Sequence, residues 1–426
     1  MNNPSVRRAL LVSGLVAAVG VAAPGPAVAQ PQAPELSELS SAASARAAEE
    51  LPPNPVIQPA PVQHEGAPRP VPFGPERIAR WYESDASSHG GFYFPVVEGF
   101  SALRREHPEV MAQNLEDVVA INNAAAGDPQ RLERALGDDH DDLMVTMSDA
   151  WGEELGGAFR DALAEHRLPK TTQLLSGFLA RGGGLASATY AEKYWFGYDR
   201  PFVVAPDRIT RYHREGGDDE YSTTPSFPSG HTNMATWKSA VMASLLPELG
   251  AQMLARGSEV GYNRLVVGVH YPLDVIGGRM TGMAAAADRL GDPEFAGLVR
   301  EAGEELRAEL EWRCGASVAE CAARGGQYLD AAQAQEAFTQ RMNYGFEPVG
   351  QPGQPMVVPQ AAPALLAARF PELSWEQRAR VLELTAQDSG YPLDKSGPEG
   401  SWQRLNLAAA WNARPVVSPD GGVTLG

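Results

Sequence analysis

The sequence predicts an all-α protein, a helical bundle with a small C-terminal appendage. Three observations carry this. Most long segments between residues 73 and 345 repeat their apolar residues at helical spacing, and alternating strand patterns are scarce. Small residues also crowd some helices, as in Ala284-Ala285-Ala286-Ala287, which suits close helix packing. With 43% hydrophobic and 8% aromatic residues, the chain of 426 has globular composition and ample material for a large core.

Taken in order, residues 1–29 read as an export signal. Arg7 and Arg8 precede an apolar stretch from Ala9 to Ala23, and Ala27-Val28-Ala29 forms a small-residue cleavage pattern before Gln30. The stretch is too short and too rich in alanine and glycine for a membrane span. The paired arginines are compatible with the general or the twin-arginine route, so a secreted or periplasmic location is expected. No later segment is apolar enough to predict an integral membrane helix. Residues 30–72, dominated by proline, alanine, glutamine and glutamate, have linker composition and are expected to be disordered.

The helical body spans 73–345. Helices are predicted over Val110–Asn123, Arg131–Leu136, Asp141–His166, Thr171–Leu179 and Leu185–Trp195. Further ones are predicted over His231–Leu246, Glu259–Val269, Pro272–Leu290, Pro293–Arg313 and Asp330–Met342. Residues 346–426 hold a proline- and glutamine-rich connection, a helix at Trp375–Ala386 and a turn-rich end. They form either an appendage or a strap over the bundle. Cys314 and Cys321 are the only cysteines, and in an exported protein a disulfide between them is expected. No partners that zinc would need lie nearby, so no metal site is expected.

The 53 acidic and 35 basic residues leave a formal charge of −18, which argues against nucleic-acid partners and against docking on anionic membrane. A site for an anionic substrate must then be a local positive pocket. Three segments could build one. In Lys193-Tyr-Trp-Phe-Gly-Tyr-Asp-Arg200-Pro201, helical spacing would put both cations on one face, where they could grip a phosphate or satisfy helix-end carbonyls. In Pro228-Ser229-Gly230-His231, a helix start preceded by Ser-Gly exposes N–H groups to an anion, with His231 beside it. The bland alternative is that Ser229 only caps the helix. In Asn263-Arg264-Leu-Val-Val-Gly-Val-His270-Tyr-Pro-Leu-Asp274, Pro272 suits a first helical position, placing Asp274 third, within reach of His270. An Asp–His pair of this kind fixes the tautomer and leaves the other ring nitrogen nucleophilic; a capping aspartate near a buried histidine is the alternative.

Together these ordered positions resemble the signature of the type 2 phosphatidic acid phosphatase superfamily. That superfamily joins bacterial non-specific acid phosphatases, lipid phosphatases and vanadium-dependent haloperoxidases. The resemblance spans about Lys193 to Asp274, with one departure at Asn263, where the family more often has serine or alanine. It implies a metal-independent phosphomonoester hydrolase of small phosphorylated substrates, with no cofactor. Lys193, Arg200, Ser229, Gly230 and Arg264 would bind phosphate. His270 would be the nucleophile oriented by Asp274, forming a phosphohistidine, and His231, protonated at rest, the general acid. The same resemblance leaves an alternative, a haloperoxidase holding vanadate in this pocket. His89 and Phe92-Tyr93-Phe94 are either core or contacts for the leaving group.

Overall fold

The computed structural model describes residues 59–177, 180–214, 221–326 and 328–426. The expected export signal, and the linker up to residue 58, lie outside the described residues. The rest of that linker, 59–72, for which disorder was expected, is irregular chain held in place. The buried Arg167 guanidinium donates to the carbonyls of Val62 and Pro68, both at 2.7 Å, while it pairs with Glu309. Proline removes secondary structure from this stretch without freeing its carbonyls from a partner.

Among the described residues the fold is all-α, as predicted, apart from one short antiparallel pair that was not expected, β1 (Pro415–Val417) with β2 (Val423–Leu425). The helices that position the site are α1 (Pro108–Ala124), α2 (Pro129–His140), α3 (Tyr190–Phe196), α4 (Pro201–Val204), α5 (Gly230–Leu245), α6 (Gly250–Val266) and α7 (Pro272–Gly291). Behind them come α8 (Pro293–Cys314), α9 (Val318–Arg324), α10 (Trp375–Thr385) and α11 (Leu407–Asn412). Among the described residues, no helix is long and apolar enough to cross a membrane.

Helix α7 is buried on every side from Pro272 to Arg289, which its small residues make possible. A Cβ on Gly278 would sit 2.5 Å from the Ser229 carbonyl oxygen, and one on Gly282 2.6 Å from that of Asn233. The backbone of α7 therefore lies directly on the first turns of α5. At the other end of the connection, α6 stops in a Schellman motif: Val269 N–H bonds to the Arg264 carbonyl, and Gly268 N–H to that of Leu265. Gly268 has φ +73°, and any side chain there would strike Ile209 and Asn122. This tight end delivers His270 to the start of α7.

Some expected helices are shorter or split. The span Asp141–His166 breaks into Leu143–Thr146, a 3-10 stretch to Trp151 and Glu153–Ala164, because Gly152 takes φ +86°. Helix α6 begins nine residues before the expected Glu259 and ends three before Val269. Leu185–Trp195 splits at Thr189, and the expected end of Thr171–Leu179 falls partly outside the described residues, its helix being Pro169–Leu175.

The C-terminal appendage lies across the bundle as a strap. Trp411 donates its indole N–H to the Pro247 carbonyl at 2.9 Å, and Arg279 of α7 donates to the carbonyls of Met342 and Gln403. Cys314 and Cys321 form the expected disulfide, tying the last residue of α8 to α9.

Candidate active site

Helix α3 ends at Gly197, which adopts the left-handed conformation with φ +51°. Arg200 is consequently not on the same helical face as Lys193, as the spacing suggested; it is the N-cap of α4. The turn between them folds both cations inward. Lys193 donates from Nζ to the carbonyls of Pro225 (2.9 Å) and Ser226 (3.0 Å). Arg200 donates Nε to the Thr224 carbonyl and Nη2 to its hydroxyl, at 2.8 and 3.1 Å. Its Nη1 reaches the Val269 carbonyl at 2.9 Å and His270 Nε2 at 3.0 Å.

That last contact settles the imidazole tautomer. A guanidinium only donates, so Nε2 carries the lone pair and Nδ1 the proton. Nδ1 faces Asp274 Oδ2 at 3.0 Å, with the Ser226 hydroxyl 3.3 Å away. Asp274 is the third residue of α7, as the Pro272 argument expected, and it is wholly buried. Its Oδ2 accepts also from the Ser226 hydroxyl (2.5 Å) and the Tyr271 N–H (2.9 Å), while Oδ1 is buried without a partner. The Ser229 N–H donates to the Asp274 carbonyl at 2.9 Å, so the starts of α5 and α7 are joined directly.

Burial and crowded cations shape the charges. Desolvation, then Arg200, Lys193 and Arg264, hold His270 well below the ordinary histidine range, so its imidazole is neutral. Desolvation and then Arg200 bring Lys193 down to about 7, and desolvation and then Arg264 bring Arg200 down to about 10. Burial raises Asp274 to about 6 against the pull of Ser226 and Tyr271.

Ser229 caps α5, accepting from the Thr232 N–H at 3.2 Å and its hydroxyl at 2.9 Å, and its own O–H remains a donor. Gly230 and His231 open the helix, where N–H groups have no intrahelical partner. His231 Nε2 lies 3.7 Å from Asp139 Oδ1, and its side chain keeps 29% of its surface exposed. Desolvation and then the Arg264 cation push its pKa down, so the expected resting proton on His231 is disfavoured without a ligand.

Asp139, on α2, escapes sequence reasoning. Its carboxylate bonds to Nη1 of Arg264, leaving the buried Nε of that arginine unpartnered. The signal was present as the run Asp138-Asp139-His140-Asp141-Asp142, an acidic cluster at a helix C-terminus, where the dipole disfavours it. Each of these carboxylates has a distinct partner. Asp138 binds Arg256 and Asn263, Asp141 binds Arg214, and Asp142 binds Lys238 and the Gly177 N–H. The departure at Asn263 is thereby explained: its amide bonds to Asp138 and anchors α6 to α2.

His89 and Tyr93 do not line this pocket. They stand at the far end of α7, where the Tyr93 hydroxyl bonds to Asp288, about 20 Å along the helix from Asp274. His89 there borders a cleft of about 1010 Å³ shared with Trp402. Phe94 packs on Trp195 and Phe196, behind the lysine-bearing helix.

Residues 172–288 match the PAP2 superfamily. The chain is 30% identical over 149 residues to a non-specific acid phosphatase of Providencia stuartii, covering 35% of this chain and 58% of that protein. It is 33% identical over 138 residues to a non-specific acid phosphatase of Salmonella typhimurium, covering 32% and 53%. An acid phosphatase of Zymomonas mobilis is 35% identical over 113 residues, covering 26% and 40%. The chain thus spans about half the length of the curated relatives it matches. The matched region contains the whole signature from Lys193 to Asp274 but not Asp139.

Proposed function

We propose, from the membership of residues 172–288 in the PAP2 superfamily, that this chain is an exported phosphomonoester hydrolase of the acid phosphatase kind. The reaction would run without a metal ion, through a phosphohistidine on His270. The observation that supports it most is the state of that imidazole: neutral, with Nδ1–H on Asp274 and the Nε2 lone pair turned toward Arg200.

In this reading a phosphoryl group takes the donors that now rest on protein oxygens. Lys193 and Arg200 exchange carbonyl partners for phosphoryl oxygens, Arg200 Nη1 also leaving His270 Nε2 and freeing its lone pair, and Arg264 offers its unpartnered Nε–H while Asp139 holds Nη1. The Ser229 hydroxyl and the Gly230 N–H add neutral donors. His270 Nε2 attacks phosphorus in line; the N–P bond forms as the P–O bond to the leaving group breaks. Asp274 stabilises the positive charge that develops on the ring. His231 protonates the departing alkoxide, then takes a proton from the water that attacks the phosphohistidine and breaks the N–P bond. Since desolvation and Arg264 disfavour the His231 proton, it arrives with the substrate: a dianion beside the ring raises its affinity, or a monoanion supplies the proton. Fixed cations supply the charge neutralisation that metal ions provide in two-metal phosphatases.

The test is hydrolysis of p-nitrophenyl phosphate in EDTA by the wild type and by His270→Ala. The wild type turns over with EDTA present and vanadate inhibits it, while the variant stays folded and loses on the order of 10⁴-fold or more. Full turnover by a folded His270→Ala protein would sink the assignment. Peroxide-driven halide oxidation after vanadate loading, without ester hydrolysis, would assign the pocket to the haloperoxidase reaction instead.

A further inference from the structure

We infer that the Thr189 hydroxyl is a further donor to the bound phosphoryl group, standing between Lys193 and the start of α5. It is none of the signature positions, and the inference rests on the phosphoryl-binding reading of the pocket.

Thr189 immediately precedes α3 and is its N-cap. A threonine there ordinarily turns its hydroxyl back to accept an N–H of the first turn. Here it makes no such bond, because the backbone is left-handed, with φ +54° and ψ +13°. A β-branched residue rarely adopts that conformation. The residue is 2% exposed and its Oγ1 is buried without a hydrogen-bond partner. A hydroxyl shut away from water in this manner is unfavourable unless something arrives to meet it.

Its surroundings identify that something. A Cβ built on Gly230 would lie 3.2 Å from Thr189 Oγ1 and 3.8 Å from Lys193 Cε. The hydroxyl and the lysine stem therefore flank the glycine whose N–H opens α5. Lys193, four residues further on, stands on the same side of α3, and its N–H bonds to the Thr189 carbonyl. The N-terminus of α5 thus has an unpartnered buried hydroxyl and the stem of a buried lysine beside it. The chemistry that satisfies all three together is a tetrahedral oxyanion: phosphate, a phosphomonoester or vanadate. The unused cap and the left-handed backbone have the same origin, since they aim the hydroxyl across to Gly230 instead of along its own helix.

Thr189→Val keeps shape and β-branching but removes the hydroxyl, and Thr189→Ser keeps the hydroxyl. Binding of inorganic phosphate and of vanadate is measured by calorimetry on the full chain, beside KM, kcat and Tm. Thr189→Val weakens phosphate about 10- to 100-fold, as expected for a bond to a charged group, and leaves Tm equal or higher because no partner is lost. Thr189→Ser restores binding to within about threefold. Unchanged phosphate affinity in Thr189→Val would overturn the inference while leaving the phosphatase reading intact. So would a fall in Tm that accompanies the loss and is not rescued by serine. A wild type that binds neither anion and hydrolyses no ester would overturn both.

Discussion

Lys193 carries its charge on a narrow margin. It is buried, donates only to neutral carbonyls, and has Arg200 for company, so its ammonium is lost as pH rises through about 7. The charged form binds the anion, so phosphate affinity is present below that pH and falls above it. The kcat/KM profile on a phosphomonoester should accordingly show an alkaline limb near 7. In Lys193→Arg, the limb should move up by at least about two units, since a guanidinium keeps its proton there. A limb that stays near 7 in the variant would show that another group sets it. On the acid side Asp274, raised to about 6, loses its charge as pH falls, and its unpartnered Oδ1 is where the proton adds. The residues of this site were legible in the sequence through the ordered set Lys193, Arg200, Ser229, Gly230, His231, Arg264, His270 and Asp274, which resembles the superfamily signature; each motif alone left a bland alternative open. Asp139 and Thr189 were not. A carboxylate in an acidic run reads as solvated surface, and Thr189 falls inside the expected helix Leu185–Trp195, where a threonine reads as helix interior; only the fold shows where either points.

At the scale of elements, spacing succeeded at Lys193 and Arg200 for the wrong local reason. The sequence reading placed them on one helix, whereas Gly197 ends α3 and the cations converge through a turn. Glycine has the opposite use in α7, where it permits contact. A Cβ on Gly282 would meet the Asn233 carbonyl oxygen and the Thr236 Cβ at 2.6 Å each, and backbone cannot step aside. Gly282→Ala gains about 1 kcal/mol of helix propensity but overpacks the α5–α7 contact, which typically costs about 1–3 kcal/mol. It should lower Tm and also kcat, because α5 and α7 carry His231 and Asp274. Gly297→Ala, in α8 with its nearest neighbour the end of the Arg300 side chain 4.0 Å away on the same helix, is the control and should raise Tm slightly. Equal Tm shifts in the two variants would mean that α7 does not lie as close to α5 as described. Such contacts were only half legible: the small residues announced close packing, but not which backbone they would meet.

Across the whole molecule, the choice between appendage and strap turned on contacts between residues far apart in sequence. Arg279 is buried on α7, and the carbonyls it reaches belong to residues 342 and 403. Burial brings its pKa down to about 10, the cost of an enclosed cation that the Gln403 carbonyl of the strap relieves together with the carbonyls of Arg341 and Met342. The strap also brings Leu365, Leu366, Phe370, Val381, Leu382, Leu405, Leu407 and Trp411 into the same core cluster as Met280, Met283 and Leu298. Burying each such side chain is worth roughly 1.5–3 kcal/mol, so together they are comparable in size to the roughly 5–15 kcal/mol by which a domain is typically stable. A chain ending at residue 345 should therefore fail to fold although every signature residue is present. The measurement is soluble yield and thermal unfolding of residues 59–345 beside residues 59–426. The longer chain should melt in one cooperative transition, with secondary structure and tryptophan environment lost together. A shorter chain that is soluble, melts sharply and hydrolyses a phosphomonoester would show that the strap is dispensable and the bundle complete without it.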